Sequence, residues 1–266
     1  MSAHPSPLRI VRQVCGSWLL LSGLMISAAQ AGDWPQILGS QRNGIAVDEK
    51  LGSKWTSGKL TPAWSVTCGS GLAGVAVTKG TVVLFHRSDD ETLSAFDAET
   101  GKPRWKQAYP SNFQAQIVDD DGPRAVPTIA DGRIFAYGAA GRLIAVDFKT
   151  GEPLWNRETH REFSAPAGYF GAGSAPVVEG KLAIVNVGGP KGAGVIAFDV
   201  TSGQPVWKSS DELASYAAPI MATIGGERRA LVVTRYQFLG LDPATGTKAF
   251  SLPFGARGPT VNGASP

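Results

Sequence analysis

Cysteine is almost missing from this sequence of 266 residues; there are two, Cys15 and Cys68. Cys15 lies in a segment with the features of an export signal, which leaves Cys68 alone, so no internal disulfide can form and the fold must rest on its core. Histidine is as scarce, three in all. Nothing near His86 or His160 completes the three or four ligands of a zinc site, and both are read as surface or packing residues. Charge of one sign is not in excess. Lys and Arg number 25 against 22 Asp and Glu, a formal +3 that shrinks without Arg9 and Arg12. With no basic stripe, nucleic acid and anionic membranes are excluded as partners. No run beyond the N-terminus is long and apolar enough to span a bilayer, so no membrane span is expected in the mature chain.

The N-terminus itself reads as a removable address. Arg9 and Arg12 give a positive region with no acid before Asp33, and an apolar stretch runs from Trp18 to Ile26. Ala29-Gln30-Ala31 then supplies the small-x-small pattern of a cleavage site before Gly32. Cys15 precedes the apolar stretch, which is the wrong order for a lipid anchor. The expectation is a signal peptide over 1–31, a leader segment over 32–60, and an exported product, periplasmic or extracellular.

What is abundant is glycine (33) and proline (18), which suits many short strands joined by tight turns. A thirteen-residue pattern recurs four times. It runs Leu93 to Trp105, Leu143 to Trp155, Val195 to Trp207 and Phe238 to Phe250, with Asp97, Asp147, Asp199 and Asp242 in register at spacings of 50, 52 and 43. The last three copies each follow an Ala-Pro or Ala-x-Pro step, an apolar run, a polar-Gly turn and a second apolar run. Four β-rich runs per unit with no helical period between them, repeated every ~40–50 residues, indicate propeller blades. The fold class is therefore all-β, a propeller of four-stranded blades over 61–266 with about four recognisable copies. Trp64 ends a partial earlier one.

The turn chemistry explains the signature. Each aspartate ends a strand where its carboxylate can accept backbone N–H groups two or three residues on. Gly101, Gly151, Gly203 and Gly246 supply positive φ, and Trp105, Trp155 and Trp207 open the outer strand with a large apolar face toward the neighbouring blade. These acids are structural rather than catalytic.

The Ala-x-Asp-x-x-Thr-Gly-x-x-x-Trp repeat resembles that of the pyrroloquinoline-quinone (PQQ) type propeller family, which covers roughly residues 60 to 266. The resemblance implies a propeller shared by quinoprotein dehydrogenases and by a non-enzymatic scaffold of the outer-membrane assembly machine. Asp33-Trp34-Pro35-Gln36-Ile37-Leu38-Gly39 followed by Arg42-Asn43-Gly44, with Tyr169 to Pro176 and Ala214 to Pro219, resembles secreted members from planctomycete-type bacteria. Members of that family continue for more blades. The expectation is a truncated or split version, or one that completes its ring with another chain, and an open blade edge invites self-association.

The enzymes of the resembled family carry calcium, a catalytic aspartate and a quinone clamped by adjacent cysteines. One mature cysteine cannot make that clamp, and every repeated acid is assigned to a turn. No catalytic residue, metal site or cofactor is expected, and PQQ with calcium enters only if the chain is a quinoprotein oxidoreductase after all. Asp119-Asp120-Asp121-Gly122 lacks the alternating ligands and closing glutamate of a calcium loop. Gly188 to Gly194 lacks the Gly-Lys-Ser/Thr and the helix of a phosphate loop and reads as a hairpin. A ligand site, if present, belongs where inner strands and inter-blade loops converge. Arg87, Arg124, Tyr169, Phe170, Ser174, Ser215 and Tyr216 are the candidates, since aromatic and hydroxyl groups with an arginine suit a sugar or an anionic polymer. A non-catalytic scaffold or binding module for a protein or envelope polymer is the leading reading, with a non-functional remnant as a further alternative.

Overall fold

The computed structural model describes residues 32–46, 49, 61–258 and 261–266. The expected signal peptide and much of the leader after residue 46 lie outside the described residues. Four antiparallel four-stranded sheets follow one another in sequence order. The first holds β1 (Ala76–Thr78), β2 (Thr81–Arg87), β3 (Glu91–Asp97) and β4 (Pro103–Tyr109). The second holds β5 (Thr128–Ala130), β6 (Arg133–Tyr137), β7 (Arg142–Asp147) and β8 (Pro153–Glu158). The third holds β9 (Val177–Glu179), β10 (Leu182–Asn186), β11 (Val195–Asp199) and β12 (Pro205–Ser209). The fourth holds β13 (Ile220–Ile224), β14 (Glu227–Val233), β15 (Gln237–Leu241) and β16 (Lys248–Pro253). Each sheet is one blade. The short first strands neighbour one another in turn, β1 with β5, β5 with β9 and β9 with β13, and the ring is not closed.

The sequence grammar produces this shape residue by residue. The third strand of each blade has apolar neighbours on both faces and is buried almost throughout, as in Leu143 to Val146. The fourth strand opens on proline in three blades and is half exposed, which suits an edge. At the same place in every blade the register slips by one residue, between Ala95 and Phe96, Ala145 and Val146, Ala197 and Phe198, and Gly240 and Leu241. This bulge twists the outer strand just before the Asp turn.

The core lies as slabs between blades. Val83, Phe85 and Leu93 of the first blade meet Ile134, Ile144 and Val146 of the second. Ile184, Val195 and Ala197 of the third meet Val232, Leu239 and Leu241 of the fourth. Each such side chain contributes roughly 1.5–3 kcal/mol when fully buried.

The tryptophans lock the slabs together. Trp105 covers Gly151 of the next blade and donates its indole N–H to the Phe148 carbonyl at 3.2 Å. Trp155 does the same to Gly203 and Val200 at 3.0 Å, and Trp207 to Gly246 and Pro243 at 2.9 Å. Trp64 docks in the same way on Gly101 and Ala98 at 2.9 Å, so it fills on the first blade the place that the preceding blade's tryptophan fills on each later one. The fourth copy has Phe250 instead, which lies against Gly240 of its own sheet and meets Phe238 edge-on.

One element departs from the all-β expectation. A single helical turn, α1 (Thr159–Phe163), follows β8. Thr159 ties it to the Gly141 carbonyl through both its N–H and its hydroxyl, and Phe163 packs on Phe198. Five residues are too few to leave a helical period in the sequence.

The leader is part of the propeller. Trp34 exchanges two backbone hydrogen bonds with Val77 of β1, and the Pro35 carbonyl accepts from Ile129 of β5. Asp33 accepts from the Thr78 hydroxyl at 2.5 Å and the Lys79 N–H at 2.9 Å. The chain then crosses to Arg42, which is buried among the inner strands.

Candidate functional site

Antiparallel pairing sorts the loops onto two faces. The Asp turns join third and fourth strands on one face; the connections between blades, 159–176 and 210–219, lie on the other. On the first face each acid serves its own turn. Asp147 accepts N–H groups from Lys149 and Thr150 at 2.9 Å each and the Thr150 hydroxyl at 3.1 Å, and Asp199 and Asp242 repeat the backbone pattern. The turn amides hold these three carboxyls below their usual range. Asp97 is depressed furthest, because Arg104 joins its turn at 2.8 Å.

On the other face the candidate residues separate into two groups. Tyr169, Ser215 and Tyr216 line a cavity of about 110 Å³ between the third and fourth blades, with His160, Asn186 and Arg235. Phe170 supports it, since its N–H donates to the Tyr216 hydroxyl at 2.9 Å and its ring meets Tyr216 edge-on at 5.5 Å. Ser174 is fully buried behind it and donates to the Ala217 carbonyl at 2.9 Å. Ser215 donates to the Val233 carbonyl at 2.5 Å and accepts the Ala217 N–H, so its hydroxyl is engaged by the fold.

The guanidiniums of the two arginines serve the junction of the first and second blades, although the Arg124 stem passes beside Gly173 of the cavity wall and its charge reaches Tyr216. Arg87 donates to the carbonyls of Phe113, Ser111, Asp121 and Asp89, at 2.5 to 3.2 Å. Arg124 is held by the carbonyls of Asp120 and Gly122 and by the Asp120 carboxylate at 3.4 Å, and lies over the Phe113 ring. Two acids of the Asp119 to Asp121 loop accept backbone N–H groups. Asp120 accepts from Gly71 and Gly122, and Asp121 from Ala115.

Three residues of interest were not among the sequence's candidates for a ligand site. Asn186, at the end of β10, is 1% exposed and donates to the Val233 carbonyl at 3.0 Å, while its Oδ1 is buried without a partner. His160 faces the same cavity, and burial lowers its pKa to about 4, so the imidazole is neutral at ordinary pH. Arg42 donates to the Pro219 carbonyl at 2.6 Å, to the Pro176 carbonyl, to Thr128 Oγ1 at 3.3 Å and to Gln36 at 2.8 Å. Among the described residues no three His, Cys, Asp or Glu side chains come together as metal ligands, and no helix is long and apolar enough to cross a membrane.

Four-stranded antiparallel blades, tied by a tryptophan from each to the Asp turn of the next, define a β-propeller. The family described as outer membrane protein assembly factor BamB matches residues 45–210. The chain belongs to this family of PQQ-type propeller repeats. The serine/threonine-protein kinase AfsK of Streptomyces griseus is 30% identical over 177 residues, covering 64% of this chain and 20% of the kinase. The assembly factor BamB of Yersinia pestis is 28% identical over 185 residues, covering 67% of this chain and 42% of its own. The crystal structure of BamB from Moraxella catarrhalis superposes with a TM-score of 0.50 at 21% identity, over 70% of this chain and 50% of that one. The chain thus spans less than half the length of these curated relatives.

Proposed function

We propose that this chain is an exported, non-catalytic propeller scaffold that holds a protein or an envelope polymer. The observation that carries this reading is that every repeated acid has one oxygen held by the amides of its own turn. Those bonds keep the carboxyls below their usual range, which suits a structural role rather than proton transfer near neutral pH. The protein side of the reading is favoured by likeness to a family whose described role is outer membrane protein assembly. Fold alone does not transfer that role, because the same blades occur beside a kinase.

The inner-strand carbonyls do not suit a calcium-bound quinone. The oxygens of Pro176 and Pro219, which would serve a cation, are taken by the Arg42 guanidinium, and a positive charge there disfavours a second.

The test is photo-crosslinking from exposed Tyr169 and Leu213 in the native host. Discrete adducts with an envelope component support the scaffold. Dye-linked alcohol oxidation by the purified protein, dependent on added PQQ and calcium, overturns it.

A further inference from the structure

The three internal joints of the propeller follow one plan. The third strand of a blade pairs with its tryptophan strand, Ala95 opposite Trp105, Ala145 opposite Trp155 and Ala197 opposite Trp207. The tryptophan then lies over the Asp turn of the next blade. Trp64 fills that place on the first blade, but among the described residues no third strand runs beside the segment that carries it. Ser65, Val66, Thr67 and Cys68 are all exposed, and among the described residues none of them makes a backbone hydrogen bond.

The face of the first blade turned away from the second is open in the same way. Register aligns its Val82, Leu84 and Phe96 with Ile134, Val185 and Leu241 of the second, third and fourth blades. Those three are 0% exposed, because the preceding blade covers them, whereas Val82, Leu84 and Phe96 are only half-buried. A groove of about 690 Å³ opens there, lined by Val66, Cys68, His86, Ser94 and Phe96 among others. Ser94 stands where the other blades carry Ile144, Ile196 and Leu239, and its hydroxyl meets His86 Nε2 at 3.0 Å. This polar pair reduces the apolar area left in water, which suits a joint that forms and parts.

An exposed segment with unpaired amides is a template for strand addition. An added strand would bond to the 65–68 backbone and rest alternate side chains on Val82, Leu84 and Phe96. A folded second copy cannot supply it, since each of its third strands is already paired on both edges. Its complete fourth blade does not fit either, because β16 would claim the place that the Trp64 segment holds.

We propose that the 65–68 segment and this face of the first blade bind an extended strand of another polypeptide, with a small residue opposite Trp64 and apolar residues at alternate positions. The inference rests on the protein side of the scaffold reading and names the form its partner takes, at a site apart from Tyr169 and Leu213.

The probe is a labelled peptide with the sequence of residues 141–149, a third strand with Ala145 at its centre, titrated into the full chain by fluorescence anisotropy. Saturable binding is expected, and a scrambled peptide should not bind. N-methylation of one alternate set of peptide amides abolishes binding, and methylation of the other set leaves it within about twofold, because an added strand pairs along a single edge. Ala145→Trp in the peptide weakens binding about tenfold by crowding Trp64. Leu84→Glu in the protein does the same by placing a charge under the strand; should that variant not melt cooperatively, the methylated peptides decide. No saturable binding, equal binding of the scrambled peptide, or equal effects of the two methylation sets overturns the site. A dimer in sedimentation that the peptide dissolves assigns the face to a second copy and overturns the proposal too. Failure here beside protein adducts from Tyr169 and Leu213 sinks this inference alone. Peptide binding without such adducts leaves this site standing and removes the loop face from the scaffold reading.

Discussion

Arg42 Nη1 donates to the carbonyl of Pro219 at 2.6 Å, a bond that spans 177 positions and fastens the leader to the last blade. Its Nη2 reaches both Thr128 and Pro176, so one side chain ties the second, third and fourth blades. It is only 6% exposed, it has carbonyl and hydroxyl partners rather than a carboxylate, and burial pulls its pKa down to about 9.

Arg42→Ala therefore takes the charged donor from the Pro219 carbonyl and one of two donors from the Pro176 carbonyl, which keeps the Thr128 hydroxyl. Each charge-assisted bond is worth about 1.5–3 kcal/mol, and the cavity left behind adds to the loss. A drop of about 3 kcal/mol or more is expected in urea unfolding. Arg42→Lys should fall in between, because an ammonium cannot span the same fork. A loss under 1 kcal/mol for the alanine variant would mean that the leader is only loosely docked.

The tryptophan dock makes a sharper demand on glycine than the turn alone does. Gly203 and Gly132 both sit in the left-handed region, at φ +68° and +73°. A Cβ on Gly203 would lie 2.6 Å from the Trp155 ring, whereas one on Gly132 meets nothing within 4 Å. Gly132→Ala should cost about 1–2 kcal/mol from backbone conformation, and Gly203→Ala roughly 2 kcal/mol more from the clash. Adding Trp155→Ala to Gly203→Ala should give less than the sum of the two losses. Additivity in thermal melts would show that the ring and the glycine do not press on each other.

The blades were legible in the sequence because their causes are local. An aspartate serving amides two and three residues away, a glycine at positive φ and an apolar third strand leave a fixed spacing behind. The tryptophan faces were legible for the same reason, since each repeats with its turn. Arg42 was not. Its partners are carbonyls, which any residue supplies, and they lie 134 and 177 positions off. Tyr169, Ser215 and Tyr216, expected on the connections between blades where a ligand site would lie, line one cavity, and Arg87 and Arg124 were expected with them. Those guanidiniums serve the 111–122 connection instead. Asn186 escaped notice because it ends a strand whose other residues are apolar, and only the fold shows that its oxygen is stranded.

His160 makes the protein acid-sensitive in a window of its own. Burial lowers its pKa from 6.5 to about 4. A base with a depressed folded value contributes stability in full above about 6.5, and this is lost as pH falls toward 4, where the unfolded chain takes up the proton first. The change across that window is of the order of 3 kcal/mol at about 1.4 kcal/mol per unit. Chemical denaturation at pH 7.5, 6, 5 and 4.5 should show this slope. His160→Gln should flatten it, and an unchanged slope in that variant would assign the acid sensitivity to other groups.

Glu91 works in the opposite sense. It is 1% exposed, and its Oε1 accepts the Ala139 N–H of the next blade at 2.7 Å. Burial raises its pKa, against the Ala139 bond and the charges of Arg142, Arg87 and Arg124. An acid with a raised folded value contributes fully below its unfolded pKa, near 4.5, and loses that contribution as pH climbs through the folded value. Glu91→Gln keeps an oxygen for Ala139 and removes the buried charge. The variant should melt higher than the wild type at pH 7, with the gap closing toward pH 4. A lower melting temperature at pH 7 would mean that the three arginines outweigh the cost of burial, and that this carboxylate holds the first two blades together by its charge.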